Sequence, residues 1–217
     1  MIVSLDASQV VEGLTEVALK WKAAKAQLNA LDGATGDGDL GITMSRGSQA
    51  ILDGLIDPGE DVGQVLRKAG LDFNEAAPST MGALLATGFI AMARETSELA
   101  EIDSRDAVRM VAAADCAIRA RGGAATGDKT MLDALVPARM AIEEAVERGL
   151  TLRQAFEAGL AAAEAGVQAT ADMKPSAGRA RWLGERTLGH EDAGATVVYL
   201  ALEATVHFLD ALDEGTG

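Results

Sequence analysis

The sequence predicts an all-α fold, and three observations carry that prediction. Alanine is abundant, aromatic residues make up only 3% of the 217-residue chain, and β-branched runs are nearly absent, which favours close-packed helices over sheets. Apolar residues recur at helical spacing: ahead of Asp32, the residues Val10, Leu14, Val17, Trp21, Leu28 and Leu31 are spaced for one helix, with charges between them. Connections between such segments are short, which makes sequence neighbours antiparallel, as in a bundle or a helical barrel.

Capping residues and glycine stops divide the periodic stretches into eight helices. In chain order they run from about Ser8 to Leu31, Gly41 to Leu55, Asp61 to Glu75 and Ser79 to Leu99, then Ser104 to Arg121, Asp128 to Arg148, Thr151 to Met173 and Gly194 to Leu212. The turn DPGE, Asp57 to Glu60, and the Gly149 junction are typical of the short links. No linker divides the chain, and 48% hydrophobic composition is ample for a core. One connection is long: Lys174 to Gly194 is glycine-rich and basic in its first half, and loops of that length inside compact domains are often functional.

The charge balance narrows the function classes. A net charge of -14 disfavours nucleic acid and anionic membranes as partners, since both need a cationic face. The single cysteine, Cys116, reads as part of a buried helical face and fits a reducing cytoplasm. The N-terminal MIVSLDASQ lacks the basic-then-apolar pattern of an export signal, and no uninterrupted apolar stretch is long enough to span a bilayer. The expectation is a soluble, cytoplasmic protein.

Three polar loops interrupt the apolar pattern. The first, DGATGDGDLG, contains a match to the dinucleotide-binding pattern G-x-G-x-x-G. That pattern needs a preceding strand, and the segment before it is helical. Asp37 and Asp39 would also point two charges at a diphosphate, which is unfavourable unless a cation intervenes. Asp32, Asp37 and Asp39 amid four glycines fit either an Asx-turn with helix capping or convergence of carboxylates on a hard divalent cation. The spacing departs from an EF-hand loop, and magnesium bridging to phosphate is the better match.

The second loop, APSTMGALL, sets Ser79, Thr80 and Gly82 at a helix start, able to meet an anion or to cap. The third group joins RGGAATGDKTM, Arg121 to Met131, with GRARWLGERTLGHEDAGAT, Gly178 to Thr196. Here Lys129, Arg179, Arg181 and Arg186 are candidates to neutralise phosphate oxygens. His207 lies in an apolar helical run and reads as structural; His190 sits in the glycine-rich loop and is open to either reading.

Taken in this order, the loops resemble the nucleotide-binding L subunit of dihydroxyacetone kinase over nearly the whole chain. GDGDLG is similar to that family's GDGDHG, while GDKTMLDAL and GRARWLGERTLGHEDAGAT follow its GDKT and GRASYLGERSIGHxDPGA signatures. The resemblance implies one nucleotide-binding domain over residues 1–217, built as an up-and-down barrel of eight antiparallel helices with the nucleotide site at one rim. It implies two Mg2+ ions on Asp32, Asp37 and Asp39, acting in catalysis through metal. It implies ATP or ADP contacts at Leu40, Gly41, Ile42, Thr43, Thr80, Met81, Gly122, Met131, Arg179, Asp192, Ala193 and Gly194. Two positions depart from the family pattern: Leu40 replaces a histidine, and Met81 stands where serine is usual.

The function so implied is phosphoryl transfer from magnesium-bound ATP to dihydroxyacetone or a related short ketose held by a separate K-type subunit. A phosphotransferase-system protein is an alternative phosphate donor. A different class of function is a nucleotide-state sensor that binds a transcription regulator, for which the changes at Leu40 and Met81 are tolerable. A fatty-acid kinase nucleotide domain is a poorer match, because those resemble PDGDTGTN and carry a long additional C-terminal region.

Overall fold

The computed structural model describes residues 4–54, 61–177 and 184–215. In chain order the described elements are β1 (Ser4–Asp6), α1 (Ala7–Ala23), α2 (Lys25–Thr35), α3 (Leu40–Gly54), α4 (Val62–Ala76) and α5 (Thr80–Glu95), then β2 (Glu101–Asp103), α6 (Ser104–Gly122), α7 (Leu132–Glu147), α8 (Leu152–Thr170) and α9 (Ala193–Gly215). Among the described residues, a 3-10 turn, Gly184–Thr187, precedes α9. From α3 to α9 each helix packs on the next, and α1 packs on both α3 and α9, so the walls close into a ring. The eight-walled, up-and-down all-α barrel expected from the sequence is the architecture found, with α2 continuing the first wall.

Helix boundaries differ from the sequence reading chiefly at three places, one of them the end of α5 at Glu95 rather than Leu99. The predicted helix from Ser8 to Leu31 is interrupted at Ala24, which keeps φ -77° and ψ 5° and caps α2 with no side chain; the break therefore leaves no residue signature. The helix expected from Asp128 begins instead at Leu132, because Gly127 (φ 97°) and Lys129 (φ 59°) are left-handed and a helix cannot pass through them. The DPGE turn lies outside the described residues.

The core is organised around Trp21 on α1 and Phe73 on α4, whose rings meet edge-on with centroids 6.0 Å apart. The Trp21 indole N–H also donates to the Val197 carbonyl at 2.9 Å, tying α1 to α9. Gly47 admits the Phe73 ring: a Cβ there would lie 2.4 Å from it. Further along the axis, an apolar cavity of about 260 Å³ lies among side chains that include Leu14, Phe89, Ile118, Phe156 and Phe208.

A miniature antiparallel sheet pairs Leu5 with Ile102, and both side chains are buried. Each strand runs directly into a helix cap. Asp6 accepts from the Gln9 amide at 2.8 Å while its own amide donates to the Gln9 side chain; Asp103 and Asp106 form the same reciprocal box at the start of α6. Alternation of direction fixes what the opposite rim contains. The helices α3, α5, α7 and α9 begin there and α2, α4, α6 and α8 end there, so the described parts of the polar loops singled out above share one end of the barrel.

Two further sequence readings are corrected by helix phase. Cys116 is exposed: the buried side of α6 passes through Ala114, Asp115 and Ile118. His207 is exposed too, between buried Val206 and Phe208. By length and composition α9, over Ala193–Glu214, is apolar enough to cross a membrane, and 56% of its most apolar 18-residue window is buried inside the protein.

Candidate functional site

The aspartate loop joins α2 to α3. Gly38 is left-handed (φ 78°), a conformation that glycine adopts without penalty, and it turns the chain so that Asp37 and Asp39 face back toward Asp32. Ligand oxygens of Asp32, Asp37 and Asp39 all lie within 4.8 Å of one another; Asp32 is half-buried and the other two are exposed. Three carboxylates this close repel one another, and hard oxygen donors at this separation are the set a divalent cation takes. As a donor set, the three carboxylates suit a hard cation such as Mg2+.

Asp32 has a second task. Its Oδ2 accepts from the amides of Asp39 and Leu40 at 2.9 and 3.1 Å, so one oxygen caps the start of α3. Its Oδ1 faces Gly36, where a Cβ would approach to 2.6 Å. Asn29, which the sequence reading passed over, caps the same turn by accepting from the Ile42 amide at 3.2 Å. The α3 start is held tightly under α2: a Cβ on Gly41 would meet the Lys25 carbonyl oxygen at 2.0 Å. Leu40 is buried, Ile42 exposed and Thr43 half-buried.

At the start of α5, Ser79 caps by accepting from the Gly82 amide at 3.0 Å, while Thr80 is exposed on the rim. Its neighbour Met81 reaches toward α9. A Cβ on Gly194 would come within 3.1 Å of the Met81 Cε, 3.1 Å of the Asp192 Oδ1 and 3.5 Å of the Met131 Cβ. The structure thus brings Met81, Met131, Asp192 and Gly194 together, with Ala193 buried beside them. Gly122 is exposed at the end of α6, where a Cβ would lie 3.5 Å from Leu84 of α5. Arg179 and Arg181 lie outside the described residues, and Arg186 and His190 are exposed.

The loop from Ala125 to Met131 is fixed by two carboxylates. Asp133, almost wholly buried, accepts from the amides of Gly127 and Thr130. Asp128 accepts from the Ala125 amide at 2.7 Å and from the Ser176 hydroxyl, and these bonds hold its carboxyl below the usual range, the Ser176 bond foremost. Lys129 does not face outward as a phosphate ligand. Only 2% of it is exposed, and its ammonium donates to the carbonyls of Thr187 and Met173 at 2.8 and 3.3 Å. Burial lowers its pKa, opposed by the charges of Asp192 and Asp172.

Asp192 initiates α9 by accepting from the Ala195 amide at 2.7 Å. Burial pushes its carboxyl up to about 7; the Ala195 bond opposes this, Asp133 reinforces it, and Lys129 opposes it. The rim therefore pairs an exposed acidic loop, suited to a cation, with half-buried Met81, buried Met131 and the helix starts, where partial positive charge favours anions.

A family model described as the DAK2 domain matches residues 34–207. The chain is 32% identical to the ADP-binding subunit DhaL of the PEP-dependent dihydroxyacetone kinase of Escherichia coli, over 92% of this chain and 96% of that one. It is 36% identical to D-erythrulose kinase of Mycolicibacterium smegmatis over 82% of this chain, spanning 31% of that protein, and 33% identical to human triokinase/FMN cyclase over 85%, spanning 32%. The dihydroxyacetone kinase of C. freundii in complex with AMP-PNP and Mg2+ has the same fold, with TM-score 0.70 at 23% identity, over 95% of this chain and 35% of that one. The loops, the barrel and these matches agree that the chain belongs to the DAK2-domain family, in which the DhaL ADP-binding subunits fall.

Proposed function

We propose that this chain, acting as one nucleotide-binding domain, is the phosphate-handling half of a cytoplasmic kinase for dihydroxyacetone or a related short ketose. The observation that carries the reading is the convergence of Asp32, Asp37 and Asp39 at the rim where four helices begin. Kinase relatives that include an ADP-binding subunit and erythrulose kinases support a phosphotransferase.

In this reading the three aspartates hold two Mg2+ ions, which when bound neutralise phosphate oxygens during transfer. The start of α3, from Leu40 to Thr43, and the exposed Thr80 receive phosphates. Met81 and Met131 give an apolar wall for the base, with Gly122, Arg179 and Asp192 to Gly194 completing the site. Asp32 contributes orientation as well as charge, because the same carboxylate caps the helix that meets the phosphates.

Among the described residues neither histidine is placed to trap a ketone: His190 belongs to the loop assigned to nucleotide, and His207 lies far along α9 from its start at the rim. Correct placement of the acceptor is worth about 7 to 11 kcal/mol of barrier, and in this reading a K-type subunit supplies it by covering the rim. Sugar-phosphate formation from dihydroxyacetone and from erythrulose, with ATP or a phosphotransferase-system donor, tests this. Turnover is expected only with the K-type partner; turnover by the chain alone overturns the two-subunit assignment. Nucleotide binding without turnover in any combination favours the sensor that reports to a transcription regulator.

A further inference from the structure

The buried ammonium of Lys129 links three parts of the rim that are distant in sequence. Its donors go to Thr187, at the end of the 3-10 turn, and to Met173, just after α8. The 3-10 turn lies against α2, the helix that carries Asp32. Nearby, the Gly189 amide donates to the Ala171 carbonyl at 2.9 Å and the Asp192 amide to the Thr170 hydroxyl at 2.8 Å. Both ends of the long connection between α8 and α9 are thereby drawn to one point, and Lys129 occupies it.

The cost of this arrangement shows that it is constrained. Lys129 adopts φ 59°, a left-handed conformation unfavourable for a side-chain-bearing residue. Asp133 enforces it by binding the amides on either side, those of Gly127 and Thr130. A surface lysine that neutralised phosphate would need neither the burial nor the forced backbone. Carbonyl acceptors satisfy a cation well in a covered site, whereas an apolar side chain in its place takes the ammonium donor from the Met173 carbonyl and leaves the Thr187 carbonyl with only the His190 amide at 3.3 Å.

We propose that Lys129 is a positioning residue for nucleotide: by holding Thr187 and Met173 it sets the turn against α2 and places Asp192, Ala193 and Gly194 opposite Met131 and Met81. It touches no phosphate itself. This rests on the nucleotide reading above, and the test separates the two. Lys129→Met removes the donors at similar length; Lys129→Arg keeps a cation with several. Mg·ADP affinity is measured by calorimetry well below each variant's melting temperature, together with amide hydrogen exchange of the unliganded proteins.

Lys129→Met is expected to weaken Mg·ADP binding at least tenfold and to speed exchange at Gly189 and Asp192, with the α4 and α5 amides unchanged. Lys129→Arg is expected to restore affinity to within about threefold of wild type. Wild-type affinity in a folded Lys129→Met overturns the positioning role and leaves the nucleotide reading intact, whereas a wild type that does not bind Mg·ADP overturns the reading itself. If Lys129→Met does not fold, the wild-type protein decides: Mg·ADP should slow exchange at Gly189 and Asp192 at least tenfold, and unchanged exchange with nucleotide bound overturns the proposal.

Discussion

Asp192→Asn should make the unliganded protein more stable at neutral and alkaline pH, and the gain should vanish in acid. The carboxyl lies beside Asp133 and within the field of Lys129, with Asp172 also near that lysine, and burial raises it to about 7 from an ordinary value of 3.8. Between those values the folded protein keeps a proton that the unfolded chain releases, so this group's contribution falls as pH rises. It is complete below about 4 and lost by the time pH passes 7. A difference of roughly three pH units at 1.36 kcal/mol each amounts to about 4 kcal/mol. That is a ceiling, because Asp192 as a residue is only partly covered. Asparagine retains an oxygen for the Ala195 amide and cannot ionise. Urea denaturation midpoints at intervals from pH 4.5 to 8, without nucleotide, should show the two proteins converging in acid and Asp192→Asn ahead by several kcal/mol at pH 8. Parallel curves would mean that the carboxylate ionises in the fold as it does in the unfolded chain, and the account of a desolvated Asp192 would fail.

Two further outcomes follow from single contacts. Gly41→Ala drives a Cβ onto the Lys25 carbonyl and should force α2 and α3 apart, costing about 1 to 3 kcal/mol and weakening Mg·ADP binding; a variant matching wild type in melting temperature and affinity would refute the tight seam. Asp103→Ala removes the cap on two α6 amides and should cost about 1 kcal/mol in thermal unfolding while leaving nucleotide affinity unchanged, because this cap sits at the opposite rim.

Much of this architecture was legible in the sequence because apolar spacing and caps are local signals. Asp61, Ser79 and Thr151 each cap a helix whose start was read to within a residue or two. The strands were not legible, since three residues each are too few to show an alternating period. Cys116 and His207 were misplaced for a different reason: an apolar neighbourhood does not fix which way one side chain faces on a helix. At the site, the aspartates could be picked out by residue type and glycine context alone. Asn29 could not, and Lys129 could be picked out only with the wrong role, as a phosphate ligand, because their partners lie 13 residues away in one case and 44 and 58 in the other. The left-handed turn of Lys129 was equally hidden, as it depends on Asp133 binding the amides of Gly127 and Thr130.

The central claim is that the aspartate loop accepts nucleotide only through a divalent cation. Calorimetric titration of ADP into the purified chain, with Mg2+ and with chelator, tests it most directly when run alongside Asp37→Asn. The account predicts strong binding with Mg2+, little without it, and loss of the Mg2+-dependent part in Asp37→Asn, with the variant still folded. In thermal scans, ligand at ~100 times its dissociation constant should stabilise wild type by about 2.7 kcal/mol and Asp37→Asn hardly at all. Equal ADP affinity with and without Mg2+, or an undiminished affinity in Asp37→Asn, would contradict it.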